Sequence, residues 1–385
     1  MIPLALDFTC IDRRERSLHT RPIMIIPGPA DSQAVLNLFL LFDPATGIDG
    51  LVKRVDLTQF DRRRIYQTVL GRIPENAAVS HTSETFDARA QFIDALQSRE
   101  FRQNLIKLIY RAFPRHRRIT FLHVPKCAGT DLIKKIDDKY PSINNTLTNE
   151  KWVDTSTLFS AIKRLIAEIH CCDTIFVYGH IRLAFLIRHE LIRSTDEAFT
   201  VLRDPFDMTL SQVNYVVTRL TAAAANGAAP GPDVIDWLKA LELETLPAKM
   251  GAKEQVRLAK RVLRIPRLVH PNVICTHLGF GHAPANEATA ESTLNSLVMS
   301  NLEITDTTRY NAWIEKKFGV SAGTRLNQSR SVLTPENVSA ADRDHIMSIT
   351  GEDRVLYSAV SKALSAAQSL SIRGNCLMAA PAGKS

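Results

Sequence analysis

Residues 119–130 read Ile119-Thr-Phe-Leu-His-Val-Pro-Lys-Cys-Ala-Gly-Thr130, and this stretch decides the fold. Ile119 to Val124 is a short apolar run with β-branched and aromatic residues, closed by Pro125, and reads as a buried strand. Gly129 permits a tight turn, after which Leu132, Ile133, Ile136 and Tyr140 form the apolar stripe of a helix opening near Thr130. A strand that turns sharply into a helix directs several backbone N–H groups into one space, at the positive end of the helix dipole. Lys126 adds a full charge to that space and Thr130 adds a hydroxyl. The stretch is therefore expected to cradle an anion at the carboxyl end of a strand, where open α/β sheets take their ligands. A nucleotide P-loop of the form G-x-x-x-x-G-K-[ST] is excluded, because Lys126 precedes Gly129 instead of following it. By itself the pattern also fits an ordinary loop-to-helix turn.

A second segment repeats the logic. Ala198 to Leu202 reads as a short buried strand followed at once by Arg203-Asp204-Pro205. Pro205 suits a first helical turn, and Phe206, Leu210, Val213, Val217 and Leu220 recur at helical spacing. Arg203 then sits at a strand end, with Ser211 on the helix behind it, and a guanidinium grips phosphate by a forked pair of hydrogen bonds. Taken alone, the segment reads first as a structural ion pair between Arg203 and Asp204. A third strand, Thr174 to Tyr178, ends in Gly179-His180. Histidine titrates close to working pH and suits general-base chemistry, while an isolated histidine is more often a hydrogen-bonded structural residue.

Together these segments resemble the nucleotide-binding elements of sulfotransferases that use 3′-phosphoadenosine 5′-phosphosulfate. The likeness is to the carbohydrate (uronyl/heparan-type) branch, whose first loop commonly reads P-K-[TC]-[AG]-G-T. The resemblance covers about residues 117 to 367. It implies an α/β fold, a P-loop-like three-layer sandwich with a central parallel sheet. It places Lys126, Cys127, Ala128, Gly129 and Thr130 around the 5′-phosphosulfate, and Arg203 and Ser211 on the 3′-phosphate. Lys126 would act on the bridging oxygen of the leaving group and His180 would be the general base. Arg325 and Asn327, with Ser329, would contact the nucleotide from a late segment. Asp131 stands where the family usually has Ser or Thr, and Met208 where many relatives carry a second arginine. The implied function is sulfuryl transfer to a hydroxyl of a carbohydrate or glycolipid acceptor, with no metal. An ATP-dependent phosphotransferase, which would need Asp131 or Asp204 for magnesium, and a non-catalytic nucleotide-binding protein are the alternatives.

Outward from these motifs, 385 residues provide ample chain for a core, and 45% hydrophobic with 23% charged residues is an ordinary globular balance. The net charge of +8 fits a polyanionic ligand. There is no aromatic-basic repeat or zinc spacing to indicate nucleic acid. Arg115-His-Arg-Arg118 reads either as a solvated linker or as a frame for the anion site. The six cysteines show no paired spacing, which fits a reducing compartment. His277 and His282 lack a third ligand at metal spacing and read as structural. Ala34 to Phe42 is too short an apolar run to span a membrane, and with no secretory or Golgi-type anchor in view the expected setting is a bacterial cytoplasm.

Three parts are expected: a helical module over 1–115, a sulfotransferase domain over 116–370 and a disordered tail over 371–385. In the module, Leu57 to Leu70 is expected to be helical and to stop at Gly71. Residues 50–105 resemble, more weakly, a small phycobilisome-linker-like module. Phe101, Leu105, Leu108, Ile109 and Phe113 mark an amphipathic helix, and Leu158, Ile162, Leu165, Ile166 and Ile169 another inside the main domain. Residues 219–235 are expected to form a flexible Ala/Gly/Pro-rich loop. The residues name neither the acceptor hydroxyl nor an oligomeric state.

Overall fold

This computed structural model describes residues 36, 39–58, 60–74, 86–137, 139–144, 155–180, 182–188, 192, 196–226, 230–247, 250–279, 289–298, 302–320, 331–365, 370–373 and 376–379. The chain divides into two compact units, Met1–His116 with Leu147–Asp173, and Arg117–Thr146 with Thr174–Ser385.

The first unit is helical. Among its described residues are the helices Gly47–Val52, Arg62–Ile65, Ala88–Gln97, Arg99–Ala112 and Thr155–His170, with a π-helical turn over Tyr66–Leu70. Side chains just before three of these helices set their starts. Asp61 accepts from the Arg64 N–H, Asp87 from Arg89 and Ala90, and Ser98 from Phe101. The helix expected from Leu57 therefore begins only at Arg62, where the Asp61 carboxylate caps it. Its end at Gly71 is as expected, with φ of 70° that a side-chain-bearing residue rarely adopts. Phe159 packs edge-on against Phe39 (4.8 Å between centroids) and Phe42 (5.4 Å), and against Phe101. This cluster explains a correction to the domain boundaries. The sequence pattern places the stripe on Thr155–His170 in the main domain, but its Phe159 packs into the core of the helical unit.

The second unit is built on a sheet of seven strands: β1 (Arg117–Leu122), β2 (Ser142–Asn144), β3 (Thr174–Gly179), β4 (Glu197–Leu202), β5 (Leu302–Asp306), β6 (Leu370–Arg373) and β7 (Cys376–Ala379). Their order is β2-β3-β1-β4-β5-β6-β7. From β2 to β5 neighbours pair in parallel, whereas β6 and β7 are antiparallel. β6 and β7 correct the expectation of a disordered tail from residue 371. Short β2 also escaped the sequence pattern, since three residues carry no period.

Alternation sends Ile119, Phe121, Phe176, Tyr178, Phe199 and Val201 to one face of this sheet. There they form a core with Leu132 and Ile136 of the helix Gly129–Asp137 and with Tyr310, Trp313, Ile314 and Phe318 of the helix Tyr310–Phe318. The opposite set, Thr120, Leu122, Ile175, Val177, Ala198 and Thr200, is buried too, which is the signature of a parallel sheet covered on both faces. A further core joins the helices Pro205–Asn226, Pro232–Ala240, Ala252–Leu263 and Ala340–Ile349. The first two correct the loop expected over 219–235. The alanines at 222–225 have the highest helix propensity of any residue and carry the helix on to Asn226. The basic run does not frame the anion site: Arg117 pairs with Glu197 (Nε to Oε1, 3.0 Å) and buried Arg118 with Asp196 (3.7 Å), tying the starting ends of β1 and β4 together.

Candidate functional site

Strand order fixes where a ligand can enter. From β1 the chain crosses to β2 on one side, and from β4 it crosses to β5 on the other. The carboxyl ends of the adjacent strands β1 and β4 therefore diverge into a crevice at a topological switch point. The loop 123–129 leaves β1 there and Arg203-Asp204 leaves β4, so the structure brings together the two segments singled out by sequence.

The loop after β1 is held in an unusual backbone conformation. Lys126 and Ala128 have φ of 65° and 58°, two of the four left-handed non-glycine residues among those described. Such conformations cost of order 1 kcal/mol or more and persist where surroundings impose them. Here the Cys127 N–H donates to the Val124 carbonyl (3.3 Å), and the His123 N–H to the Gly179 carbonyl at the end of β3 (3.1 Å). Gly129 opens the following helix, and a Cβ there would lie 1.8 Å from Nε2 of His123. The glycine is required by this close approach of the imidazole.

Two cations share the crevice. Burial and the Arg203 guanidinium lower the Lys126 pKa to about 8. The Lys126 ammonium rests over the Tyr215 ring, 3.9 Å from its centroid. Among the described residues neither Lys126 nor Arg203 has a carboxylate partner within ion-pair distance. The Asp204 carboxylate instead accepts from the N–H groups of Phe206 (2.9 Å) and Asp207 (3.2 Å) and so caps the helix Pro205–Asn226. The structural Arg203–Asp204 pair that the sequence allowed is not formed. Asp131 likewise turns away from the loop: it pairs with Lys135 (2.7 Å) and accepts from the Tyr310 hydroxyl (3.2 Å). Both carboxylates that a magnesium-dependent phosphotransferase would draw on are thus engaged in the scaffold. Two neighbouring, partly desolvated cations without a counter-charge are costly in a protein interior, and an oxyanion relieves that cost.

Cys127 is interior, not reactive. Its sulfur is fully buried, lies 3.8 Å from the Met208 sulfur and receives the Arg203 N–H, and burial pushes its pKa up to about 12. Met208 is buried with it. Thr130 is exposed on the first turn of its helix, and Ser211 is half-buried two turns into the helix Pro205–Asn226.

His180 stands beside the loop at the end of β3, one edge open to solvent. Its Nδ1 lies 3.0 Å from the His123 carbonyl, an acceptor only. Nδ1 must therefore carry the proton and Nε2 the lone pair. The ring stacks on His123 (4.5 Å between centroids, 26°) and meets His277 edge-on at 6.2 Å. Burial, helped by the Lys126 charge and opposed by the hydrogen bond to the His123 carbonyl, holds the His180 pKa below its ordinary 6.5. His277 is lowered to about 4, chiefly by burial, and its Nδ1 is hydrogen-bonded to the Val273 carbonyl (3.0 Å). Asp353 secures the short helix carrying His277 by accepting from the N–H groups of Ile274 (2.9 Å) and Cys275 (2.8 Å).

Sequence reasoning missed His123 and Tyr215 as site residues. His123 lay within the quoted stretch and was read only as part of the strand. Tyr215 follows Ser211 by four residues, on the same helix face, and that spacing could have found it. His277, expected to be a structural or loop residue, is hydrogen-bonded to Val273 and also walls His180. Arg325, Asn327, Ser329 and His282 lie outside the described residues. No protein-family model matches the chain, and no curated protein matches it.

Proposed function

We propose that the protein is a group-transfer enzyme acting on a phosphate-bearing nucleotide, and specifically a sulfotransferase moving the sulfuryl group of 3′-phosphoadenosine 5′-phosphosulfate to a carbohydrate hydroxyl. One observation carries this reading: Lys126 and Arg203, neither paired with a carboxylate among the described residues, share the crevice between β1 and β4 beside a neutral imidazole whose Nε2 has no partner among those residues. A P-loop-like three-layer sandwich is part of the same proposal, supported by the parallel sheet buried on both faces.

The acceptor oxygen attacks sulfur and forms the new S–O bond, while the bond from sulfur to the phosphate oxygen breaks and leaves its electron pair there. His180 Nε2 takes the proton from the attacking hydroxyl, a role suited to an imidazole kept neutral at working pH. Lys126 stabilises the charge growing on the departing oxygen. Its pKa near 8 also suits it to donate a hydrogen bond or a proton at that atom. Arg203, with the Ser211 hydroxyl, would fix the 3′-phosphate and hence the register of the nucleotide.

The test is calorimetric titration with adenosine 3′,5′-bisphosphate and with ATP, for the wild type and Arg203→Ala. The bisphosphate should bind in preference to ATP. The variant should lose about 10- to 100-fold, the equivalent of about 1.5–3 kcal/mol for charged hydrogen bonds. Absence of bisphosphate binding refutes the assignment, and a preference for ATP moves the phosphotransferase to first place.

A further inference from the structure

The helical unit contains a crevice of its own, of about 200 Å³, between the π-helical turn Tyr66–Leu70 and the helix Arg99–Ala112. On the helix, Glu100, Asn104, Lys107 and Arg111 recur at intervals of three or four, so they share one face. Opposite them the chain leaves the π-turn through Gly71 and Arg72. π-Helical turns are rare and occur frequently at functional sites.

The polar groups of this crevice have different duties. Arg72 is spoken for: its guanidinium forks onto Glu100, with Nη2 2.8 Å from Oε2, and stacks over the Tyr66 ring at 5.1 Å. That fork consumes the one carboxylate in the lining. Asn104 donates to the Leu70 carbonyl (3.2 Å) and holds the end of the π-turn in place. Lys107 and Arg111 remain, one helical turn apart. Neither pairs with an acid among the described residues. A Cβ on Gly71 would come within 3.3 Å of Arg111 Nη1, so that guanidinium lies against the glycine backbone. Burial, and then the neighbouring Arg111, lower the Lys107 pKa, with Glu100 opposing.

We propose that this crevice is a second anion-binding site, taking the carboxylate, sulfate or phosphate group of a small ligand between Lys107 and Arg111. Two like charges one turn apart destabilise a helix, and a bound oxyanion reverses the sign. The volume decides the size class. It falls below the roughly 300–1,000 Å³ typical of pockets for drug-sized ligands, which suits a single sugar ester or acid, with Leu70 and Leu108 as the apolar part of the wall. The site lies wholly within the helical unit and does not depend on the sulfotransferase reading.

Two measurements test it, with inorganic sulfate, inorganic phosphate and glucuronate as probes. The first is calorimetric titration of the full chain carrying Lys126→Ala and Arg203→Ala, so that the crevice between β1 and β4 is disabled. At least one probe should bind, and adding Lys107→Ala and Arg111→Ala should weaken it at least tenfold. The second uses the wild-type chain, in which a saturating probe should slow acetylation of Lys107 at least threefold relative to exposed Lys134, read by mass spectrometry. Glucuronate binding without the inorganic ions would identify a sugar acid as the ligand, and equal binding of all three a simple oxyanion site. Unchanged acetylation of Lys107 with all three probes would overturn the proposal. So would binding that survives loss of both cations.

Discussion

Replacing Gly129 by alanine tests the close packing behind the loop, because two effects of opposite sign compete there. Gly129 opens a helix, where alanine is intrinsically better than glycine by roughly 0.5–1 kcal/mol. Against this, the new Cβ would lie 1.8 Å from His123 Nε2, whereas ordinary contact begins at 3.4 Å. The imidazole would have to retreat by the difference, about 1.6 Å. It has little room, being stacked between Phe121 (5.3 Å) and His180 (4.5 Å). An overlap this deep falls at the upper end of the about 1–3 kcal/mol that overpacking costs, so the steric term wins and a net loss of about 1–2 kcal/mol is expected. For a unit of this size that is a fall in Tm of about 2–8 °C. Unfolding followed by tryptophan fluorescence reads it directly, since Trp313 is packed against Phe199 in the same core. The assignment of the cost to His123 is checked with His123→Ala as background, in which Gly129→Ala should become neutral or stabilising. A coupling of at least about 1 kcal/mol is expected between the two sites. If Gly129→Ala raises Tm in the wild type, or costs as much when the imidazole is gone, the account of this glycine is wrong.

Other consequences are open to direct measurement. Lys126 titrates near 8 in the fold against an ordinary 10.5, so between these values the unfolded chain holds more protons. Lys126 therefore contributes rising stability to the ligand-free protein as pH increases from 8 to 10.5, and Lys126→Met should abolish that rise. Bisphosphate affinity should do the reverse, falling by up to about tenfold per unit above pH 8 as the ammonium is lost. Lys126→Ala should lower turnover by about two to three orders of magnitude, as removal of one preorganised donor does elsewhere. In sulfuryl-transfer assays the acid limb of the rate profile should lie below 6.5, the ordinary value from which His180 is lowered, and should vanish with His180→Ala. Native-state alkylation mapped by mass spectrometry should modify exposed Cys171 and Cys172 and spare buried Cys127 and Cys275. Rapid labelling of Cys127 would contradict its placement in the interior.

What the sequence determined by itself was local. The strand-turn-helix of 119–136, the strand end at Arg203 and the amphipathic helix Arg99–Ala112 were legible, because apolar periodicity and turn residues act within a few positions of each other. The parallel sheet followed from alternating strands and helices. What the tertiary structure decided was everything that depends on partners distant in the chain. Asp131 and Asp204 are equally near the loops in sequence, and packing against Tyr310 and helix capping commit both of them to the scaffold. Phe159 could have faced any layer, and the rings of Phe39, Phe42 and Phe101 drew it into the helical unit. The proton position on His180 is set by the His123 carbonyl, 57 residues away, and no local pattern encodes that bond. A periodic pattern specifies that a face is apolar or a cation present. Burial geometry then determines which face is covered, which charge is neutralised and which is left for a ligand.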